Sequence, residues 1–193
     1  CLIGLYRSIT ARAFCNLRVF RDSLRVGVSE WAGVRTLVTI RCGERLCALD
    51  RAAVREVTPL PDLSRPPSLP ASVEGLMNLA GEAVLVVDLV RLLDISPNKE
   101  IDPIYRHVVV LQQQDGSTGL LVDRVEDVAS VADDAIVAAD RNTTINDCVV
   151  GQVDIGGETA HVLDAGRIFL SAERVRLADM QRSEQARLDA LDA

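Results

Sequence analysis

Aromatic residues make up only 3% of this 193-residue chain, and histidine occurs twice, at His107 and His161. With so few aromatics, Val, Leu, Ala and Ile must fill the core, and a hydrophobic content of 48% excludes a disordered chain. Lysine occurs once, at Lys99, so arginine supplies nearly all the positive charge. A net charge of −7, spread as a dispersed acidic surface, argues against a nucleic-acid partner or an anionic membrane. Long apolar runs are missing as well. The longest, such as residues 83–87, are far too short for direct membrane insertion.

Reactive constellations are equally scarce. The five cysteines are Cys1, Cys15, Cys42, Cys47 and Cys148, with no C-x-x-C pair and no histidine beside them, which argues against a zinc site. A two-residue turn at residues 44 and 45 would set Cys42 opposite Cys47, yet the odd count and the lack of a signal-peptide pattern favour reduced thiols in a cytosolic protein. Neither histidine has metal-helix spacing or a neighbouring nucleophile, and no phosphate-cradling glycine loop occurs. The acidic groups Asp123, Glu126, Asp127 and Asp133, Asp134 lack the spacing of a calcium loop and read as solvated charge. No catalytic residue, cofactor or metal ligand is assigned, and an enzyme is not expected.

What the chain does contain is a repeat. Residues 75–88 align without a gap on residues 151–164, with Gly75/Gly151, Gly81/Gly157, Glu82/Glu158, Val86/Val162 and Asp88/Asp164 identical. A glycine turn followed by an alternating strand, used twice, indicates two copies of one small β unit. The surrounding order repeats too. Residues 37–40 and 46–49 flank a turn at Gly43-Glu44-Arg45, and residues 108–111 and 120–123 flank one at Asp115-Gly116. Val54-Arg55-Glu56-Val57 is echoed by Val125-Glu126-Asp127-Val128. A loop with Pro59, Pro61, Pro66, Pro67 and Pro70 corresponds to an acidic loop at residues 130–147, where Asn142-Thr143-Thr144 is a polar sequence. A strand at 83–87 leads into a short helix at 89–93 capped by Asp88; residues 149–155 and 159–163 form the last hairpin.

Units of this size are marginally stable alone, so closing each into a barrel and packing the pair is the economical solution. The expected fold is all-β: two five-stranded barrels packed together, short helices and a C-terminal helix. Barrel one is placed at about residues 35–95 and barrel two at about 104–170. Residues 1–33, with a net charge of +3 and no clear periodicity, read as a separate basic leader that is disordered or not native. Residues 171–193 form the terminal helix, capped by Ser171, whose Leu177, Met180, Leu188 and Leu191 stripe is expected to dock on its own barrel.

The stretch Val73-Glu74-Gly75-Leu76-Met77-Asn78-Leu79-Ala80-Gly81, followed by Val86-Val87-Asp88-Leu89, resembles the G-x-x-N-L-R-G…P-V-V-D-L signature of the CheW-like family of bacterial chemotaxis adaptors. Ala48-Leu49 with Val54-x-Glu56-Val57 upstream, and Gly119-Leu120-Leu121-Val122-Asp123-Arg124-Val125 downstream, extend the resemblance over about residues 35–170. It implies that the barrels are SH3-like. It also implies a non-enzymatic scaffold, cytoplasmic and recruited to membrane receptor arrays, that joins a chemoreceptor cytoplasmic tip to a CheA-like histidine kinase. The alternative is a regulatory domain of a larger kinase or receiver-containing chemotaxis protein. The partner-binding positions it implies are Val54, Val57 and Val125 in a groove between barrels, and the loop Asn78, Leu79, Ala80, Gly81. The valines also fit a core reading, since period-two valines usually face inward. Two positions depart from the signature. Its Arg is Ala80 here and its Pro is Leu85, which points to a divergent partner set such as one for gliding or twitching motility. The second copy carries Asp154-Ile155-Gly156-Gly157, which reads as a plain hairpin turn.

Overall fold

The computed structural model describes residues 33–66, 69–70, 72–97, 102–112, 117–139, 147–169 and 171–191. The leader up to residue 32, the Asp115-Gly116 turn and Asn142-Thr143-Thr144 lie outside the described residues. Strands β1 (Val34–Cys42) and β2 (Arg45–Asp50) form a hairpin, followed by β3 (Val54–Pro59). A second hairpin comprises β4 (Val73–Leu79) and β5 (Glu82–Asp88). Helix α1 (Leu89–Leu92) starts where the Asp88 carboxylate accepts from the Arg91 amide at 3.1 Å, the cap expected from the sequence.

Strands β6 (His107–Leu111), β7 (Thr118–Val122) and β8 (Arg124–Ala132) follow. The two-residue β9 (Val137–Ala138) precedes the hairpin of β10 (Val149–Ile155) and β11 (Glu158–Leu163). Helix α2 (Ser171–Leu191) completes the described chain. The sequence reading missed β4, although its repeat partner β10 was expected as a strand. Part of the expected acidic loop is instead the end of β8, a short 3-10 turn and β9. No helix among the described residues is long and apolar enough to cross a membrane.

The strands form two sheets, in the orders β8-β1-β2-β11-β10-β9 and β3-β6-β7-β5-β4. Leaving β9 aside, each is a five-stranded unit assembled from both repeats. The β1–β2 hairpin of the first repeat pairs with β8 and runs parallel to β11, both from the second. Reciprocally, the β6–β7 hairpin pairs with β3 and runs parallel to β5, both from the first. The contiguous assignment of residues 35–95 and 104–170 to separate barrels is therefore corrected: the repeats exchange strands reciprocally. Valine patterning cannot reveal this, because β3 and β8 carry the same spacing and either hairpin offers an equivalent edge.

Three apolar clusters result. Val38, Ile40, Cys42, Leu49, Leu85, Val87, Val109, Leu120 and their neighbours form a core shared by both sheets. Leu37, Leu46, Ala48, Val153, Ala160 and Val162 pack on the far face of the six-stranded sheet. Met77, Val84, Val86, Val108, Val110 and Leu121 do the same for the five-stranded one. Central strands are thus covered on both faces, which is why β5, β6 and β7 read as unbroken apolar runs and not as clean alternation.

The first glycine of the repeat has a packing role. A Cβ on Gly75 would lie 2.8 Å from the Ser64 carbonyl oxygen, and one on Gly151 would lie 2.9 Å from that of Val137. Ser64 bridges to Leu76, and Val137 pairs with Gln152, the residues that directly follow those two glycines. The proline loop and the acidic segment therefore cross their hairpins at equivalent points.

The observed β1–β2 turn is at Gly43 and Glu44, so Cys42 faces Arg45 while Cys47 faces Ile40. The two cysteines are diagonal neighbours on the shared core, not opposite each other. The contact between the two thiols, and after it burial, pushes the Cys42 thiol up; the same contact lowers Cys47 against the opposing effect of burial. Cys42, Cys47 and Cys148 are free and buried, and Cys1 and Cys15 lie outside the described residues.

Candidate functional site

A two-residue turn joins β4 to β5 with both central residues in the left-handed region, Ala80 at φ 53° and Gly81 at φ 91°. This conformation matches the twist of the flanking strands, and it favours Asn or Gly where Ala80 stands. The Asn78 side-chain oxygen Oδ1 closes the turn by accepting from the Gly81 amide at 2.7 Å. Asn78, Ala80 and Gly81 are exposed, while Leu79 is partly buried against the outer core of the five-stranded sheet. The second copy has the same backbone. Gly156 and Gly157 stand at φ 65° and 87°, and the Asp154 carboxylate accepts from the Gly157 amide at 3.1 Å. The two turns expected to differ are conformationally equivalent, and the difference between the copies lies in what surrounds them.

The three valines sit elsewhere, on the strands that end each sheet. Val54 is 2% exposed and belongs to the shared core, so its placement as an exposed groove residue is corrected to a core position. The edge strand turns it inward, as period-two spacing allows. Val57 on β3 and Val125 on β8 are partly buried and pack against the same core, leaving part of each side chain at the surface.

An ion pair connects β3 to the β4–β5 turn. Arg55, between the valines, donates to the Glu82 carboxylate at 2.7 Å and to the Ser117 hydroxyl at 2.8 Å. Ser117 in turn donates to Glu82. The Ser117 hydroxyl, and after it the Arg55 guanidinium, holds the Glu82 carboxyl below its usual range against the opposing effect of burial. The equivalent carboxylate in the second copy, Glu158, is gripped by Arg41, which also donates from Nε to Glu126 at 3.0 Å. Sequence reasoning noted the identical Glu82 and Glu158 but assigned them no role. Their partners, Arg55 and Arg41, come from different strand positions, so the repeat alone could not supply them.

Helix α2 reaches the same turn. Gln185 Nε2 donates to the Gly81 carbonyl at 2.9 Å. The side chains of Leu177, Leu188 and Leu191 in the expected apolar stripe lie outside the described residues. The helix contacts that are described are polar, and only the i, i+4 spacing of Gln181 and Gln185 signals them in the sequence.

Asp88 and Asp123, both buried, share Arg106 at 3.1 and 3.4 Å, and Asp123 also accepts from the Gly43 amide at 2.6 Å. This cluster ties the ends of β5 and β7 to the β1–β2 turn. An open cleft of about 1060 Å³ lies on the six-stranded sheet, lined in part by Arg45, Cys47, Asp94, Gln152 and His161; none of the seven expected partner-binding residues lines it. Among the described residues no group of His, Cys, Asp or Glu converges to hold a metal ion.

The sheet pattern, the repeated turns and the paired edge strands agree with a comparison against protein families. The CheW-like domain matches residues 36–173. The chain belongs to the CheW-like family. It is 28% identical over 148 residues to the chemotaxis protein CheW of Treponema pallidum, covering 75% of this chain and 87% of that protein. Identity to the chemotaxis protein CheW of Rhizobium meliloti is 30% over 148 residues, covering 74% and 92% respectively. The crystal structure of scaffolding protein TtCheW from Thermoanaerobacter tengcongensis superposes with a TM-score of 0.65 at 22% identity, over 76% of this chain and 94% of that one. This CheW-like family is one of chemotaxis scaffolds, not of enzymes.

Proposed function

We propose that this chain is a non-enzymatic adaptor that couples the cytoplasmic tip of a chemoreceptor to a CheA-like histidine kinase. The observation that carries the reading is the family match across residues 36–173, which contains both edge strands and both turns. The alignments with the two CheW relatives span 87% and 92% of those proteins, so the reading draws on nearly their whole length. In this reading the Asn78-Leu79-Ala80-Gly81 turn and the exposed parts of Val57 and Val125 contact the partners, and Arg55 with Glu82 fixes the turn relative to β3. The protein works in the cytoplasm and joins membrane receptor arrays through its partners, with no nucleic acid and no membrane insertion involved.

The direct test is a binding titration of the full chain with the regulatory domain of the cognate kinase and with a receptor-tip fragment. Absence of binding to both at roughly tens of micromolar would refute the adaptor role. Ala80→Arg restores the guanidinium of the family signature on an exposed turn. An interfacial arginine contributes about 2 kcal/mol or more, so the variant should bind one partner about 30-fold more tightly. An unchanged affinity would remove the turn from the interface.

A further inference from the structure

Among the described residues, strand β5 has no second strand neighbour near its turn. Its parallel pairing with β7 begins at Leu85 opposite Thr118, while its pairing with β4 continues to Glu82 opposite Leu79. Ala83 therefore has β4 on one side and, on the other, a stretch beyond the paired part of β7. Pairing alternates along an antiparallel strand, so with Glu82 bonded across the turn, the Ala83 amide and carbonyl point away from β4. Helix α2 satisfies both. Gln185 Oε1 accepts from the Ala83 amide at 2.8 Å, and Gln181 Nε2 donates to the Ala83 carbonyl at 2.6 Å. Gln185 Nε2 also donates to Gly81 O at 2.9 Å and to its helix neighbour Asp189 at 3.0 Å. Four residues apart, the two amides share one helix face and present the acceptor and donor that a neighbouring strand would present.

The described contacts of this dock are polar. Arg182, Ser183, Ala186, Arg187, Asp189 and Ala190 are exposed and Met180 is only partly buried. Hydrogen bonds that water can replace give a small net stabilisation, so such a contact opens readily. The equivalent turn at Gly156-Gly157 has the same backbone, so it is α2 that makes the first turn different.

We propose that α2 is a built-in competitor for the β4–β5 turn: docked through Gln181 and Gln185, it occupies the edge that a protein partner must reach. The proposal rests on the reading of that turn as a partner-binding loop. When α2 lifts, the Ala83 amide becomes free to donate to the partner, and the Ala83 and Gly81 carbonyls become free to accept from it. The apparent affinity for the partner is then reduced by the fraction of molecules with α2 docked.

The test compares the full wild-type chain with Q181A/Q185A in two measurements. Amide hydrogen exchange follows Ala83 and residues 178–190, with protected amides of β6 and β7 reporting that the fold is intact. Binding is titrated with the kinase regulatory domain and with the receptor-tip fragment. The expected result is faster exchange at Ala83 and along α2, together with a roughly 3- to 10-fold tighter affinity for one partner. Faster exchange with unchanged affinity would overturn the competition while leaving the adaptor reading standing. Weaker binding would also overturn it, because α2 would then be part of the interface. Unchanged exchange would show that the glutamines do not hold the helix. No binding of either fragment to either protein would refute the adaptor reading and the competition with it.

Discussion

Ala80 occupies a left-handed backbone conformation at φ 53°, which disfavours any residue with a Cβ. Glycine adopts it without that strain, so Ala80→Gly should raise stability by about 0.5–1 kcal/mol, seen as a higher urea midpoint at unchanged slope. A lower midpoint would mean that the turn relaxes around alanine. The two histidines make a second prediction. Burial is the main cause that lowers both below the ordinary imidazole value of about 6.5, and Arg124 and Arg45 respectively add to it. The unfolded chain then takes up protons at a higher pH than the folded one. Their contribution to stability is complete above about pH 6.5 and is lost as pH falls through the lower folded-state values. His107→Gln should flatten that decline in urea melts taken between about pH 7.5 and 5; identical slopes for variant and wild type would show no net linkage at His107. At this scale the sequence was informative where bonds are local. Asp88 as a helix cap and the positive φ of Gly81 and Gly157 follow from neighbours three residues away or closer. The Arg55–Glu82 pair spans 27 residues and Arg41–Glu158 spans 117, distances over which composition gives no pairing rule.

Among the elements, the β1–β2 and β10–β11 hairpins were legible, whereas β4 and the crossings over the hairpins were not. Gly75 and Gly151 each lie under a segment arriving from elsewhere, so a methyl group there must displace main chain. Gly75→Ala and Gly151→Ala should each cost about 1–3 kcal/mol in chemical denaturation. In the first variant the Leu76 amide, which donates to Ser64 O at 2.9 Å, should also exchange faster. Wild-type stability and exchange would mean that the crossing segment is not held against β4. Only the repeat hinted at this, since a glycine conserved between copies outside the turn needs its own reason. The helix face was legible only in part. The side chains of Leu177, Leu188 and Leu191 in the expected stripe lie outside the described residues. The described contacts of α2 with its own sheet are made by Gln181 and Gln185, which are commonly read as surface residues.

For the molecule as a whole, strand exchange makes the two repeats depend on each other. Residues 34–97 alone would keep β1–β2 without the β8 and β11 neighbours, and β4–β5 without β7. Neither this segment nor residues 102–191 should unfold cooperatively by itself, and mixing the two should restore a cooperative thermal transition monitored by circular dichroism. An independent melt for either piece would show that a repeat closes on its own strands. Sharing one core also explains how a chain with 3% aromatics achieves a buried interior. The same Val and Leu strands are covered on both faces, one by the partner sheet and one by their own.

The all-β class, the first and last hairpins, the capped short helix, the duplicated turn and the family resemblance are written in local sequence, because each depends on residues near in the chain. Which hairpin each edge strand joins, the inward placement of Val54 and the hydrogen bonds of α2 to Gly81 and Ala83 arise only in the folded molecule. Those choices depend on edges and faces that are chemically alike in the sequence. Only their position in space distinguishes them.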